Sequence, residues 1–190
     1  MIFETPGIPD VRIVELDRRE DERGYFARAF CRDEFIAAGI EPHIEQANVS
    51  FNSRAGTLRG MHLQVAPHPE TKFIRCTRGA IVDTIVDLRP DSPTYLDHVQ
   101  VELSAENGRA LFVPAYFAHG YQTLQDDTEV LYLVSGAYAP GFERGLRHDD
   151  PELGLRWPLP VADISEKDRS WPLLETWSAE ERMTVSAVPA

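Results

Sequence analysis

Runs of alternating apolar and polar residues recur along most of the chain, and such runs are typical of half-buried β-strands. In order they are VRIVEL, the segment after Gly24 in DERGYFARAF, HIEQANVSFNS, LRGMHLQ, KFIRCTRG, AIVDTIVDL, HVQVELS, ALFVPAYFAHGYQTL and TEVLYLVSGAY. Turn-rich segments such as RPDSPT separate them, and AENGR contains the Asn-Gly pair that is typical of a tight hairpin. Helical spacing predicts only a short helix over residues 32–38, and ISEKD predicts a helix start capped by Ser165.

Many short strands, little helix and no fixed repeat predict an all-β protein, a sandwich or barrel for which a double-sheet jelly roll fits best. No linker divides the pattern, so we expect one domain over residues 1–175. The pattern fades near the C-terminus, and the segment 176–190 has no obvious partner. We therefore expect this tail to be mobile.

Charge and composition narrow the classes of partner. The formal net charge of the 190-residue chain is -12, which disfavours nucleic acid and anionic membranes. The sequence contains no apolar run of membrane-spanning length and no basic start followed by an apolar core, so we expect neither a membrane span nor a secretory signal. Its two cysteines, Cys31 and Cys76, are expected to be free thiols, which indicates a cytoplasmic protein.

An arginine, a histidine and a lysine lie close together in one stretch of this acidic chain, GTLRGMHLQVAPHPETK from Gly56 to Lys72. Arg59 and Lys72 can bind an anion, and a histidine such as His62 is the residue type best suited to exchange a proton. The combination predicts a site for an anionic ligand that also exchanges a proton.

Two half-motifs around this stretch resemble those of the cupins. The first consists of Gly56, His62, Gln64, Glu70 and Gly79, and the second of Gly108, Pro114 and His119. In metal-dependent cupins this pattern supplies three histidines and a glutamate to a divalent ion, but here Gln64 is a poor ligand. A metal-dependent oxygenase or isomerase using His62, Glu70 and His119 is the alternative hypothesis.

A more specific resemblance covers residues 10–175. Seven blocks in order resemble the dTDP-4-dehydrorhamnose 3,5-epimerase family, nucleotide-sugar epimerases of the cupin superfamily. The blocks are DERGYF, QANVSFNSRAGTLRGMHLQ, KFIRCTRGAIVDTIVDLRPDSPT, VPAYFAHGY, EVLYLVSGAYAP, ERGLRHDDPELGLRWP and SEKD. The resemblance implies a cupin-type double-stranded β-helix, an isomerase without metal or redox cofactor, and a 4-keto-6-deoxy sugar linked to a nucleoside diphosphate as substrate.

The resemblance also implies four catalytic residues. Such an enzyme removes the proton beside the ketone, at C3, C5 or both, and returns a proton to the opposite face. The positions that match the family are His62 as the base, Asp168 as its orienting carboxylate, Lys72 beside the enolate oxygen and Tyr132 as the acid. A sugar-binding module without catalysis is a third hypothesis, but it has no need for a base and an acid.

Binding residues follow from the same resemblance. Arg23, Arg59 and His119 match positions that line the diphosphate and sugar, Phe26, Gln46 and Asn48 match positions near the nucleoside, and Tyr138 lies on the sugar side. The chain departs from the family at Arg28, usually a glutamate close to the nucleobase, and also at Leu63 and His148. The family forms homodimers with exchanged N-terminal strands, and we expect the first strand here to be an edge that a partner covers.

Overall fold

The computed structural model describes residues 1–185. This part of the chain contains fourteen strands and four short helical segments, joined by loops. The strands are β1 (Ile2–Glu4), β2 (Arg12–Glu15), β3 (Arg19–Asp21), β4 (Gly24–Phe26), β5 (Gln46–Asn52), β6 (Thr57–Gln64), β7 (Lys72–Arg78), β8 (Ala80–Asp87), β9 (His98–Ser104), β10 (Ala110–Val113), β11 (Phe117–Thr123), β12 (Thr128–Val134), β13 (Glu143–Gly145) and β14 (Asp163–Ile164). The helices are α1 (Arg32–Ala37), α2 (Glu166–Arg169), the 3-10 turn Leu174–Thr176 and α3 (Ala179–Met183). The all-β prediction is confirmed.

Two large sheets form the double-sheet architecture. Sheet I has the order β1-β2-β10-β7-β12-β5, and sheet II has the order β13-β6-β11-β8-β9 with β14 added beside β6. Neighbouring strands are antiparallel, apart from the parallel pair of β14 with β6. Strands distant in sequence are thereby brought side by side, as in a jelly roll.

The main core contains apolar residues of both sheets, because alternate side chains of a strand point to the same face. Ile81 and Ile85 of β8, Leu111 of β10 and Val130 of β12 are fully buried in one cluster. Removal of that apolar surface from water stabilises the sandwich by roughly 1.5–3 kcal/mol for each large side chain.

A second apolar cluster covers the outer face of sheet I. Helix α1 places Phe35 there, and its ring contacts the rings of Phe3, Phe30, Phe73 and Phe112. The predicted helix over 32–38 therefore forms, and the Phe35 side chain packs it against the sheet.

A third cluster lies on the outer face of sheet II and draws in the end of the described chain. Met61 and Leu63 of β6 pack there with Trp177 and Val185, which are 6% and 2% exposed. Ser178 caps α3 through a reciprocal pair of hydrogen bonds with Glu181. Over residues 176–185 the structure thus differs from the expected mobile tail, because two apolar residues reach a core; the rest of that tail, 186–190, lies outside the described residues.

Three local predictions were wrong. The single strand predicted over ALFVPAYFAHGYQTL is divided into β10 in sheet I and β11 in sheet II. The Asn-Gly pair at Asn107–Gly108 does not close a hairpin, because β9 belongs to sheet II and β10 to sheet I. Asn107 instead accepts hydrogen bonds from the backbone N–H groups of Ser104 and Arg109, so it organises a crossing between sheets. The first predicted strand, β2, is not an edge either, since β1 and β10 pair with its two sides.

The segment between β2 and α1 forms a separate hairpin. Strands β3 and β4 pair only with each other, and all of their residues are exposed. None of the helices found in residues 1–185 has the length and apolarity needed to cross a membrane.

Phe35→Ala is expected to lower the free energy of unfolding by about 3–5 kcal/mol, because it empties the centre of the aromatic cluster. The matched control is Ile36→Ala on the same helix, where the side chain is 41% exposed and the expected change is within about 1 kcal/mol. Urea denaturation measures both values. Equal losses for the two variants would contradict the fastening role of Phe35.

Candidate active site

A cavity of about 440 Å³ opens between the two sheets, a volume in the usual range for small-molecule sites. Its walls contain nine of the twelve residues predicted for the site. These are His62, Asp168, Tyr132, Lys72, Gln46, Asn48, Arg59, His119 and Tyr138. Residues from five strands, one loop and one short helix therefore converge, as expected of a binding or catalytic site.

His62 and Asp168 form a close pair on the sheet II side of the cavity. The Nε2 atom of His62 lies 2.5 Å from Oδ1 of Asp168, and the Asp168 side chain is only 6% exposed. A carboxylate accepts a hydrogen bond, so Nε2 carries the proton and Nδ1 keeps the lone pair. The pair is thus arranged to take up a proton at Nδ1 and to stabilise the resulting imidazolium.

The position of Asp168 follows from the local sequence. Strand β14 adds to β6 through Asp163 and Ile164, and α2 begins directly after it. Ser165 caps α2 by accepting a hydrogen bond from the backbone N–H of Asp168, as the S-x-x-D pattern predicted. The parallel pairing therefore sets the helix, and with it Asp168, beside β6.

Burial alone would raise the pKa of Asp168. Its hydrogen bond and charge interaction with His62, together with hydrogen bonds from the Gly60 N–H and Ser165, outweigh that effect, and the pKa is lowered. Asp168 is therefore a carboxylate at neutral pH.

Two glycines allow the close approaches behind this pair. Gly60 has a φ of +123°, and a Cβ there would lie 2.5 Å from Cα of Gly120 on β11. Gly145, opposite His62 on β13, lies against Trp171, whose ring would be 2.3 Å from an added Cβ. That ring stands edge-on to the imidazole, with 6.1 Å between the centroids. Trp171 is a neighbour of His62 that the sequence analysis did not identify.

Lys72 lies on the opposite sheet, at the start of β7. Its Nζ atom is 3.2 Å from a carboxylate oxygen of Glu70, and it donates a hydrogen bond to the His62 carbonyl at 3.3 Å. The Lys72 and Glu70 side chains are 11% and 12% exposed. A largely buried cation is therefore held beside the backbone of His62.

Tyr132 also lies on sheet I, and it pairs in register with Asn48 of β5. Burial raises the pKa of Tyr132, opposed by the nearby charge of Arg59 and assisted by that of Glu70. The phenol thus keeps its proton at neutral pH. His62 and Tyr132 stand on opposite walls of the cavity.

Arg59 and His119 extend the cavity along sheet II. The Nε–H group of Arg59 donates to Oδ1 of Asn52 at 2.7 Å, and no carboxylate pairs with this guanidinium among residues 1–185. His119 is held by Asp83, with 2.6 Å between Nε2 and Oδ1. At the mouth, the Tyr138 hydroxyl donates to Glu143, which also pairs with Lys167.

Three predicted binding residues do not line this cavity: Arg23, Phe26 and Arg28. Arg23 and Phe26 belong to the exposed β3–β4 hairpin, where Phe26 is 70% exposed. Arg28 forms an ion pair with Glu34 at 2.5 Å. Within one described chain they are therefore separate from the cavity.

Some lining residues were missed by the sequence analysis: Ser50, Tyr121, Glu143 and Asp163. Ser50 and Tyr121 are hydrogen-bonded across the sandwich at 2.8 Å. Alternation along β5 could have identified Ser50, since it shares a face with Gln46 and Asn48. Glu143 carries no such signal, because only the pairing of β13 with β6 brings it to the cavity.

The three residues of the metal-dependent alternative, His62, Glu70 and His119, all lie in the cavity walls. Each of them already pairs with a neighbouring side chain: His62 with Asp168, Glu70 with Lys72, and His119 with Asp83. Across the described part of the chain, no group of three or more histidine, cysteine or acidic side chains is placed to hold a metal ion.

Comparison with known proteins agrees with this geometry. The sequence profile described as dTDP-4-dehydrorhamnose 3,5-epimerase matches residues 5–176. The chain belongs to the dTDP-4-dehydrorhamnose 3,5-epimerase family. Membership makes it an isomerase of the racemase and epimerase class acting on carbohydrates, as the order of the sequence blocks predicted.

Individual relatives span nearly the whole chain. The dTDP-4-dehydrorhamnose 3,5-epimerase of Sinorhizobium fredii is 42% identical over 92% of this chain and 90% of its own length. The crystal structure of the Bacillus anthracis enzyme, with TDP and PPi bound, has a TM-score of 0.88 and 39% identity, covering 91% of this chain and 99% of that one. The Legionella pneumophila enzyme in complex with dTDP-4-keto-L-rhamnose has a TM-score of 0.88 and 33% identity, covering 95% and 96%.

Asp168→Asn is expected to lower stability in a pH-dependent way. Because the folded-state pKa of Asp168 is lowered, its stabilising contribution is present above the unfolded value near 3.9 and is lost as the pH falls through the folded value. The difference in unfolding free energy between native protein and variant should therefore be largest above about pH 4 and narrow as the pH falls below that value. Urea titrations of both proteins across this range measure it, and a constant difference would count against an ionised Asp168.

Proposed function

We propose that this cavity epimerises a nucleotide-diphospho-4-keto-6-deoxy sugar, of the dTDP-4-dehydro-6-deoxyglucose type, at both C3 and C5. The observation that carries the proposal is the position of an imidazole–carboxylate pair on one wall and a protonated phenol on the other. Inversion at a carbon requires proton removal from one face and delivery to the opposite face. The family members named above are 3,5-epimerases, which favours inversion at both carbons over one.

His62 acts as the base in this proposal. Its Nδ1 lone pair takes the proton from the carbon beside the C4 ketone, and the C–H electron pair moves into the enolate with its charge on the C4 oxygen. Asp168 keeps the ring oriented and stabilises the imidazolium. Such a positioned base typically contributes a factor of about 10² to 10⁴ to the rate.

Lys72 and Tyr132 complete the reaction. In this proposal the Lys72 ammonium faces the developing enolate oxygen, and its charge stabilises that oxygen. The Tyr132 hydroxyl donates its proton to the other face of the carbon and is reprotonated from solvent. Its raised pKa keeps the proton in place until the enolate has formed.

Arg59 and His119 are proposed to hold the diphosphate and sugar, with Tyr138 on the sugar side and Gln46 and Asn48 toward the nucleoside. Arg59 is suited to the diphosphate because its guanidinium has no acidic partner among the described residues. One unpaired guanidinium supplies less positive charge than a diphosphate carries negative charge. Further cations must therefore come from outside this cavity.

A homodimer would supply them. We propose that the exposed β3–β4 hairpin carries Arg23 and Phe26, with Arg28 beyond its end, to the cavity of a partner subunit. Strand β5, an edge of sheet I, exposes Val49 and Phe51, 61% and 50% accessible, which a partner would cover. Free Cys31 and Cys76 support a reducing, cytoplasmic location for this homodimer.

Solvent deuterium exchange into dTDP-4-keto-6-deoxyglucose tests the reaction. Followed by NMR, native protein is expected to incorporate deuterium at C3 and C5, because both the base and the acid exchange protons with solvent. His62→Ala should reduce the rate about 10²- to 10⁴-fold. Tyr132→Phe should retain exchange by the base while product formation falls. Exchange at only one carbon would reject double inversion, and no exchange with this or other nucleotide-linked ketosugars would reject the epimerase proposal.

Co-expression of Arg23→Ala and His62→Ala subunits tests the shared site. If Arg23 serves the partner's cavity, each mixed dimer has one complete site, and random pairing should restore about a quarter of native activity. Differently tagged subunits allow the mixed dimer to be purified, with each single variant as control. No recovery above the single variants would place Arg23 in its own subunit's site or outside any site.

A further inference from the structure

Glu70 lies in the cavity wall, Gln64 lies directly behind it and is hydrogen-bonded to it, and the proposed reaction leaves both unused. Gln64 is 3% exposed, and its amide is fully hydrogen-bonded. The Nε2 group donates to Oε2 of Glu70 at 3.1 Å and to the Ala137 carbonyl at 3.2 Å, while Oε1 accepts from the Ala139 N–H at 2.7 Å. Such a complete set of bonds fixes the side chain in one orientation.

The direction of this amide follows from its partners. The Ala139 N–H can only donate, so the oxygen of Gln64 faces Ala139 and the nitrogen faces Glu70. Glu70 therefore receives a hydrogen bond on Oε2 and presents Oε1 to Lys72 at 3.2 Å. A chain of contacts thus runs from the backbone beside Tyr138, through Gln64 and Glu70, to Lys72.

Lys72 has three ammonium protons to place. Within residues 1–185 its partners are the Glu70 carboxylate and the His62 carbonyl, which account for two. The third is free for a ligand in the cavity. A flexible four-carbon side chain would otherwise sample many orientations, so two fixed acceptors determine where the remaining N–H lies.

We propose that Glu70, held in place by Gln64, is a positioning residue that aims the Lys72 ammonium at the reacting oxygen of the substrate. The inference deepens the proposed function and rests on it for the identity of that oxygen. Glu70 itself does not touch the reacting atoms. It keeps the cation of the enolate site in one place before the substrate arrives, which is how a preorganised electrostatic site acts.

The composition of the chain makes a direct test practical, because Lys72 and Lys167 are its only lysines. Protein labelled with ¹⁵N at the lysine side chains therefore gives two ammonium signals, which Lys167→Arg assigns. Lys167 pairs with Glu143 in the same manner as Lys72 pairs with Glu70. Each lysine–carboxylate pair thus serves as the control for the other.

Glu70→Gln removes the charge but keeps the shape of the side chain. It is expected to move or broaden the Lys72 signal by more than the matched control Glu143→Gln does, while the control acts mainly on Lys167. Gln64→Glu places a second carboxylate beside Glu70 and should also move the Lys72 signal. This variant replaces Glu70→Gln in the test if Glu70→Gln does not fold. A Lys72 signal that stays unchanged in the folded variants would overturn the proposal, whether or not the protein turns over a substrate.

Kinetics supply the second readout. Glu70→Gln should lower kcat about 10- to 100-fold, less than removing an oxyanion-type donor itself, while KM changes by less than about threefold. An altered Lys72 signal with native kcat would overturn the link to catalysis. If native protein shows no epimerisation, the proposed function fails, and the NMR comparison still decides whether Glu70 positions Lys72.

Discussion

The hydrogen bond between His62 and Asp168 is the interaction on which the site depends. It joins β6, in the middle of sheet II, to a helix of a single turn near the C-terminus, and α2 is otherwise held by β14 and a serine cap. Because Asp168 is nearly buried, its negative charge must be stabilised by hydrogen bonds. The His62 imidazole, the Gly60 N–H and the Ser165 hydroxyl provide them. The hydrogen bond from His62 thus both stabilises the buried carboxylate and orients the imidazole that we propose as the base.

Much of the fold could be predicted from sequence, because its determinants are local. Alternation placed β5 to β9 and β12, although it gave a single strand where the structure has β10 and β11. Apolar spacing placed α1, and the segment ISEKD placed the cap at Ser165. The order of the motif blocks identified the family and hence most of the cavity residues. That these residues lie together could be predicted without any known distance, because members of one family share the arrangement of their site residues.

What could not be predicted depends on contacts between distant parts of the chain. Asn107 and Gly108 carry a hairpin signal, yet which sheet each flanking strand joins is decided by tertiary packing. Trp177 and Val185 lie in a segment without strand alternation, and they are buried because they pack on the outer face of sheet II. Glu143 reaches the cavity through the pairing of β13 with β6, and Trp171 reaches His62 by packing on Gly145 of β13; no short window of sequence encodes either contact.

The two halves of the proposed base are separated by 106 positions along the chain. Strands β5 to β12, which form most of the cavity walls, all precede Asp168. During synthesis on the ribosome the walls can therefore assemble first, while the imidazole still lacks its carboxylate. A chain that stops before Asp168 would contain the cavity walls without the carboxylate partner of His62, so the proposed base is complete only after α2 has been made.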